Sequence, residues 1–260
     1  MSKTYNQKQI IEYEHYDVSG SENTKTMLLL HGSGVNRKIW IPQMIALSHT
    51  YRILAPDMLG HASRRQEKFT FKTAVTELNS FIEQNNYGKL LVAGLSLGGY
   101  LASEFVCQYP DKTTGLVLIG SSATPRGYIT IPYHLLAFFY RIIDYGWLVK
   151  YNASSWRSKY KPEVAEPVIE AGFYHAVVPQ LESEIGGKDF LSKLKTYEKP
   201  VLIINGEKDH IFRRGERLYR KSIRNSRIVV IKNAGHMCNL DAPEEFNKHL
   251  REFADSLSWD

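Results

Sequence analysis

The sequence predicts an α/β fold: a doubly wound, mostly parallel sheet with a helical insertion over its strand ends. Three observations predict it. Short runs rich in Val, Ile and Leu recur at Met27–Leu30, Tyr51–Ala55, Leu90–Ala93, Gly115–Ile119, Val201–Ile204 and Ile228–Ile231. They are nearly continuous rather than alternating, as strands covered on both faces should be. Segments with helical spacing lie between them, which is the alternation of a doubly wound sheet. One interval, from about Pro125 to Lys195, breaks the alternation.

Taken in order, residues 9–18 are expected to add antiparallel strands ahead of the first run. Residues 72–87 read as a helix with Val75, Leu78, Phe81 and Ile82 on one side. After Leu90–Ala93, a helix from Tyr100 to Tyr109 carries Leu101, Phe105 and Val106 on one face, and Pro110-Asp111 stops it. The last helix opens with Asp241-Ala-Pro-Glu244, a start like a capping box with proline in the first turn. Phe246, Leu250, Phe253 and Leu257 then follow at spacings of four, three and four. The expected division is a core of residues 1–124 and 196–260 carrying a helical cap at 125–195.

The insertion is rich in aromatics, among them Phe138, Phe139, Tyr140, Trp147, Tyr151 and Trp156. A polar stripe at His134, Arg141 and Asp144 interrupts the apolar surface of residues 131–151 at helical spacing. One reading is packing of the insertion against its own domain. The sharper one is an apolar wall over a substrate pocket, with His134, Phe138 and Trp147 facing substrate, or a face that touches lipid.

Composition bounds the function. The chain of 260 residues fits one large domain, and 43% hydrophobic with 23% charged residues is ordinary for a soluble enzyme. The net charge of +6 is modest, and Glu and apolar residues interrupt the basic clusters, so a solvated helix face outweighs a nucleic-acid patch. Cys107 and Cys238 make no disulfide framework and no C-x-x-C, and both read as small buried residues. Residues 1–5 lead into polar sequence without an apolar signal core, and no apolar run reaches about 18 residues. The expectation is a cytoplasmic protein without a membrane span. The histidines show no metal-ligand spacing, so neither metal nor cofactor is expected.

Gly94-Leu95-Ser96-Leu97-Gly98-Gly99 lies between a strand-like run and a helix-like run. In that setting a G-x-S-x-G turn exposes its serine on a strained backbone, and side chains at Gly94 and Gly98 would collide with the crossing elements. A serine nucleophile needs a base, and the base needs an orienting acid. Asp209 follows the Val201–Ile204 run and His236 follows the Ile228–Ile231 run, giving the order Ser96, Asp209, His236. All three fall beyond strand carboxyl ends, where ligands gather in open α/β sheets. His210 rivals His236, and Glu207 and Asp57 rival Asp209; Asp57 precedes the nucleophile and reads as a loop brace. The oxyanion hole is expected to combine the N–H of Leu97 with that of Ser33 in the loop His31-Gly32-Ser33-Gly34.

His31-Gly-Ser-Gly34, Asp57-Met-Leu-Gly60-His61, the Ser96 elbow, Gly206-Glu-Lys-Asp209 and Asn233-Ala-Gly235-His236 together resemble an α/β-hydrolase of the esterase and lipase-like group. The resemblance runs from about residue 10 to 255 and implies an eight-stranded sheet and a helical cap. One departure is that Gly60-His61-Ala62-Ser63 replaces the more usual Gly-x-Gly-x-Ser. Ala62 is expected to alter the loop only slightly, and His61 to face the pocket mouth. Serine at 96 argues against the branches with an aspartate nucleophile.

Four readings follow. The leading one is a serine hydrolase acting on a small-molecule ester with an apolar acyl or alcohol portion. A second uses the same triad on a carbon–carbon bond, with Arg126, Arg141 or His134 holding a carboxylate. A third is a ligand receptor on the same fold. The last is a dinucleotide-binding domain, opposed by the missing middle glycine of G-x-G-x-x-G and by Gly120-Ser121-Ser122 where an acid belongs.

Overall fold

A computed structural model describes residues 9–123, 135, 138–140 and 142–259, without the side chains of 182 and 183. Eight strands form one sheet: β1 (Ile10–Glu12), β2 (Tyr16–Ser19), β3 (Thr26–Leu30), β4 (Arg52–Pro56), β5 (Leu90–Leu95), β6 (Thr113–Ile119), β7 (Val201–Gly206) and β8 (Ser226–Ile231). Their order is β1-β2-β4-β3-β5-β6-β7-β8. β1 and β2 pair antiparallel with each other, and β2 with β4; every other pairing is parallel. The two antiparallel strands at the edge are those expected from residues 9–18.

The apolar runs are continuous because both sheet faces are covered. Met27 and Leu29 of β3 pack on one side with Ile53, Leu91, Ala93, Val117 and Ile204. Leu28 and Leu30 pack on the other with Leu54, Val92, Leu118 and Ile203. The helices α1 (Ile41–Leu47), α2 (Phe71–Gln84) and α3 (Leu97–Gln108) follow β3, β4 and β5. Met44 and Leu47 of α1 join the first face, whereas Val75 of α2 and Leu101 and Phe105 of α3 join the second. No periodicity announces α1, a helix of only seven residues.

The described part of the insertion includes α4 (Tyr145–Lys159), α5 (Pro162–Ala171), α6 (Val178–Ile185) and α7 (Phe190–Leu194). The polar stripe supplies a cap, since the Asp144 carboxylate accepts from Trp147 N at 2.6 Å and starts α4. α8 (His210–Ser222) and α9 (Pro243–Asp255) complete the chain. Among the described residues no helix is long and apolar enough to cross a membrane.

The start of α9 differs from expectation. Asp241 does not cap it: no side chain caps this helix, and Pro243 opens it. The Asp241 carboxylate is engaged instead by Gly235 N at 2.7 Å and Tyr160 Oη at 2.8 Å. A charge-assisted bond to a loop N–H beside His236 outcompetes the cap. Cys107 and Cys238 are free thiols, Cys238 buried and Cys107 partly so.

Candidate active site

Ser96 sits between the end of β5 and the start of α3 at φ +53° and ψ −115°. This left-handed strain on a non-glycine residue holds the serine at the tip of the turn. A Cβ on Gly94 would lie 2.1 Å from Gly98 O, and one on Gly98 would lie 2.2 Å from Leu30 O. Only glycines let strand, turn and helix approach this closely. Ser96 N donates to Ile119 O at 2.8 Å, tying the turn to the end of β6. Leu97 is the first residue of α3, where N–H groups lack intrahelical partners and the helix dipole favours negative charge.

Asp209 leads α8 from the end of β7, and His236 lies in the loop after β8. His236 Nδ1 and Asp209 Oδ2 are 2.7 Å apart. Asp209 is buried, whereas the His236 side chain is 39% exposed and stacks on Phe212 with ring centroids 4.8 Å apart. A deprotonated Asp209 makes Nδ1 the protonated nitrogen, leaving Nε2 able to accept. Gly120 connects this pair to the serine. Ile119 O holds Ser96 N, and a Cβ on Gly120 would fall 2.8 Å from the His236 ring and 3.1 Å from Asp209 Oδ2. The structure therefore gathers Ser96, Asp209 and His236 around the end of β6. Among the described residues no hydrogen bond joins Ser96 Oγ to His236; such bonds are often long before substrate binds.

The rivals have other partners. Glu207 is exposed and accepts from Asn233 N at 2.9 Å, and His210 is exposed at the start of α8. Asp57 accepts from Arg37 N at 3.1 Å and from Ser63 Oγ at 3.0 Å, and pairs with the Arg37 guanidinium. Arg37 also reaches Asp17 at 2.8 Å. This buried network braces the loop after β3 against the loop after β4.

The His31–Gly34 loop lies against the elbow, since a Cβ on Gly32 would be 3.6 Å from Ser96 Cβ. His61 departs from expectation: it is fully buried beneath this loop and does not face the pocket mouth. Its Nε2 accepts from Gly34 N at 3.1 Å and its Nδ1 lies 3.0 Å from Leu59 O. His31 Nε2 likewise accepts from Met58 N at 2.9 Å, with Nδ1 2.8 Å from Gly32 O. Each ring receives a backbone N–H on Nε2, so each is neutral with its proton on Nδ1. The two rings pack edge to face at 5.0 Å. Ala62 beside them holds φ +42°, a glycine-type conformation kept with a Cβ.

Burial pushes His31 down to about 4 and His61 down to about 3. Both would charge near pH 6.5 in the unfolded chain. The unfolded state therefore binds more protons below that pH, so stability rises with pH there. The contribution is complete above about pH 6.5 and is lost as pH falls toward the folded values. The melting temperature is expected to fall steadily from pH 7 to pH 5, with up to about 1.4 kcal/mol per histidine per pH unit at stake. A flat profile by circular dichroism would contradict the neutral pair.

Of the expected substrate-facing residues, His134 lies outside the described residues, as do Arg126 and Arg141. Phe138 and Trp147 are each 54% exposed. Their ring partners are Phe139 and Tyr151 rather than residues around Ser96. Sequence reasoning missed His175. It lies in a 3₁₀ turn between α5 and α6, buried against Gly34, and Tyr174 N donates to Gly34 O at 2.9 Å. Nothing near it in the sequence marks it. Among the described residues no cluster of three or more His, Cys, Asp or Glu is placed to hold a metal.

A sequence model of the alpha/beta hydrolase family matches residues 27–249. The "Probable 1-acylglycerol-3-phosphate O-acyltransferase" of Oryza sativa subsp. japonica is 23% identical over 87% of this chain, which spans 66% of that protein's length. The "Uncharacterized carboxylesterase nap" of Bacillus subtilis (strain 168) is 24% identical over 92% of this chain and 82% of its own. Among solved structures, the enol-lactonase from Burkholderia xenovorans LB400 superposes with a TM-score of 0.79 at 20% identity, covering 93% of this chain and 96% of that one.

Proposed function

The chain belongs to the alpha/beta hydrolase family, and from that premise we propose that it is a serine hydrolase of carboxylic esters with an apolar acyl or alcohol portion. One observation carries the reading. Ser96 is held at φ +53° on the end of β5, with the His236–Asp209 pair around the adjacent Gly120. The similarity to a protein named as a carboxylesterase agrees with it.

In the proposed reaction His236 Nε2 takes the Ser96 proton as Oγ attacks the ester carbonyl. Asp209 keeps the imidazole proton on Nδ1 and stabilises the imidazolium. The N–H groups of Leu97 and Ser33 receive the developing oxyanion. His236 then protonates the leaving alcohol, and water repeats the cycle on the acyl-enzyme.

A fluorophosphonate reagent, an electrophile for activated serines, is expected to label one site. Peptide mass spectrometry should place the adduct on Ser96. Intact folded protein that takes no label and cleaves no short 4-nitrophenyl ester would refute the proposal.

A further inference from the structure

His175 is a polar side chain with only 9% of its surface exposed, in the segment that covers the His31–Gly34 loop. Asn152 Nδ2 lies 2.8 Å from His175 Nε2 and 3.0 Å from Leu148 O. The carbonyl can only accept, so the atom between them is the amide NH2, and it donates to Nε2. His175 therefore carries its proton on Nδ1. Burial pulls it down to about 4, so it is neutral across the physiological range.

That Nδ1–H has no acceptor among the described residues. Its surroundings say where it faces. A Cβ built on Gly34 would meet Nδ1 at 3.1 Å and Cε1 at 3.4 Å. The Nδ1–Cε1 edge thus faces Gly34, in the loop that lies against Ser96. The ring is held there by parallel stacks with Tyr140 at 4.8 Å and Phe173 at 6.2 Å. Next to Gly34, the Ser33 hydroxyl oxygen is buried without a protein partner. Buried polar groups are rarely left unpaired, and one in the loop packed against Ser96, next to a ring with an unused donor, points to a ligand contact.

We propose that His175 is a substrate-binding residue whose Nδ1–H hydrogen-bonds an acceptor oxygen carried near the scissile carbonyl, so that esters bearing such an oxygen are selected over alkyl ones. The proposal rests on the hydrolase reading of Ser96. A neutral donor suits an ether, keto or hydroxyl oxygen, because a carboxylate would add a buried charge and no cation among the described residues acts on His175.

Isosteric ester pairs test it on both sides of the carbonyl. On the acyl side the pair is 4-nitrophenyl methoxyacetate and 4-nitrophenyl butanoate. On the alcohol side it is 2-methoxyethyl butanoate and butyl butanoate. Intrinsic reactivity cancels when the kcat/KM ratio within a pair is compared between proteins. His175→Phe keeps the ring stack and deletes the donor, and is expected to shrink the ratio about 3- to 10-fold on one side. His175→Asn gives up the stack and keeps a donor, and is expected to retain most of the preference. A residue needed only for packing would give the reverse order.

The alcohol-side pair titrated calorimetrically into Ser96→Ala protein, with and without His175→Phe, reads the contact without turnover. Equal ratios with and without His175→Phe, on both sides and in this titration, overturn the proposal. Discrimination that disappears with His175→Phe in the titration, from a protein that hydrolyses no ester, overturns the hydrolase reading and keeps the donor.

Discussion

Replacing Ser96 with alanine is expected to lower kcat/KM for 4-nitrophenyl butanoate by about 10³- to 10⁶-fold. The range reflects what survives: the Leu97 and Ser33 N–H groups and His236 remain, and such groups retain residual catalysis over water once a nucleophile is lost. The fold should be indifferent to the change. Ser96 Oγ makes no hydrogen bond among the described residues, and alanine accepts a positive φ no worse than serine. Steady-state kinetics with a melting curve therefore separates the two effects. Activity within about tenfold of wild type, at unchanged melting temperature, would remove Ser96 from the reaction.

The second large effect is expected from Asp209→Asn, a loss of about 10³- to 10⁴-fold in kcat, the size known for triads whose carboxylate becomes an amide. His236 Nδ1 stands 2.7 Å from Asp209 Oδ2. An amide can present its NH2 to that nitrogen and so favour the tautomer protonated on Nε2. That tautomer has no lone pair for the Ser96 proton. Asp209 also receives Phe212 N at 3.5 Å, a long cap whose loss costs well under about 1 kcal/mol. Glu207→Gln is the control, because Glu207 is exposed and braces only the Asn233 backbone. A larger loss from Glu207→Gln than from Asp209→Asn would reverse the assignment of the acid.

Much of this arrangement is legible in the sequence, for a common physical reason. The β3 and β5 to β7 strands are buried on both faces, so their runs carry no polar interruption. The elbow announces itself because a serine crossing between strand and helix tolerates only glycine where backbones meet at close range, as at Gly94 and Gly98. Asp209 and His236 each follow a strand directly, so strand prediction places them. What escapes the sequence depends on partners far along the chain. His61 is buried because Gly34, 27 residues earlier, offers its N–H. Asp241 abandons α9 because Tyr160, 81 residues earlier, and the nearby Gly235 N–H hold its carboxylate. His175 gains its setting from Asn152, Tyr140 and Gly34 together. None of these pairings leaves a period or a motif.

Asn36, two residues beyond Gly34, donates to Val168 O at 3.0 Å and to Gly172 O at 2.9 Å, at the C-terminal end of α5. With the Tyr174–Gly34 bond, the covering helices are stitched to the same loop that is expected to supply an oxyanion donor. On the proposed reading, the helices and the loop then act as a single part. A chimera that takes residues 125–195 from a relative, while keeping the local Gly34–Asn36 segment, would have to rebuild three hydrogen bonds, two from the Asn36 side chain and one from Tyr174 N to Gly34 O. Grafting a new specificity onto this scaffold accordingly requires moving the loop and the helices together.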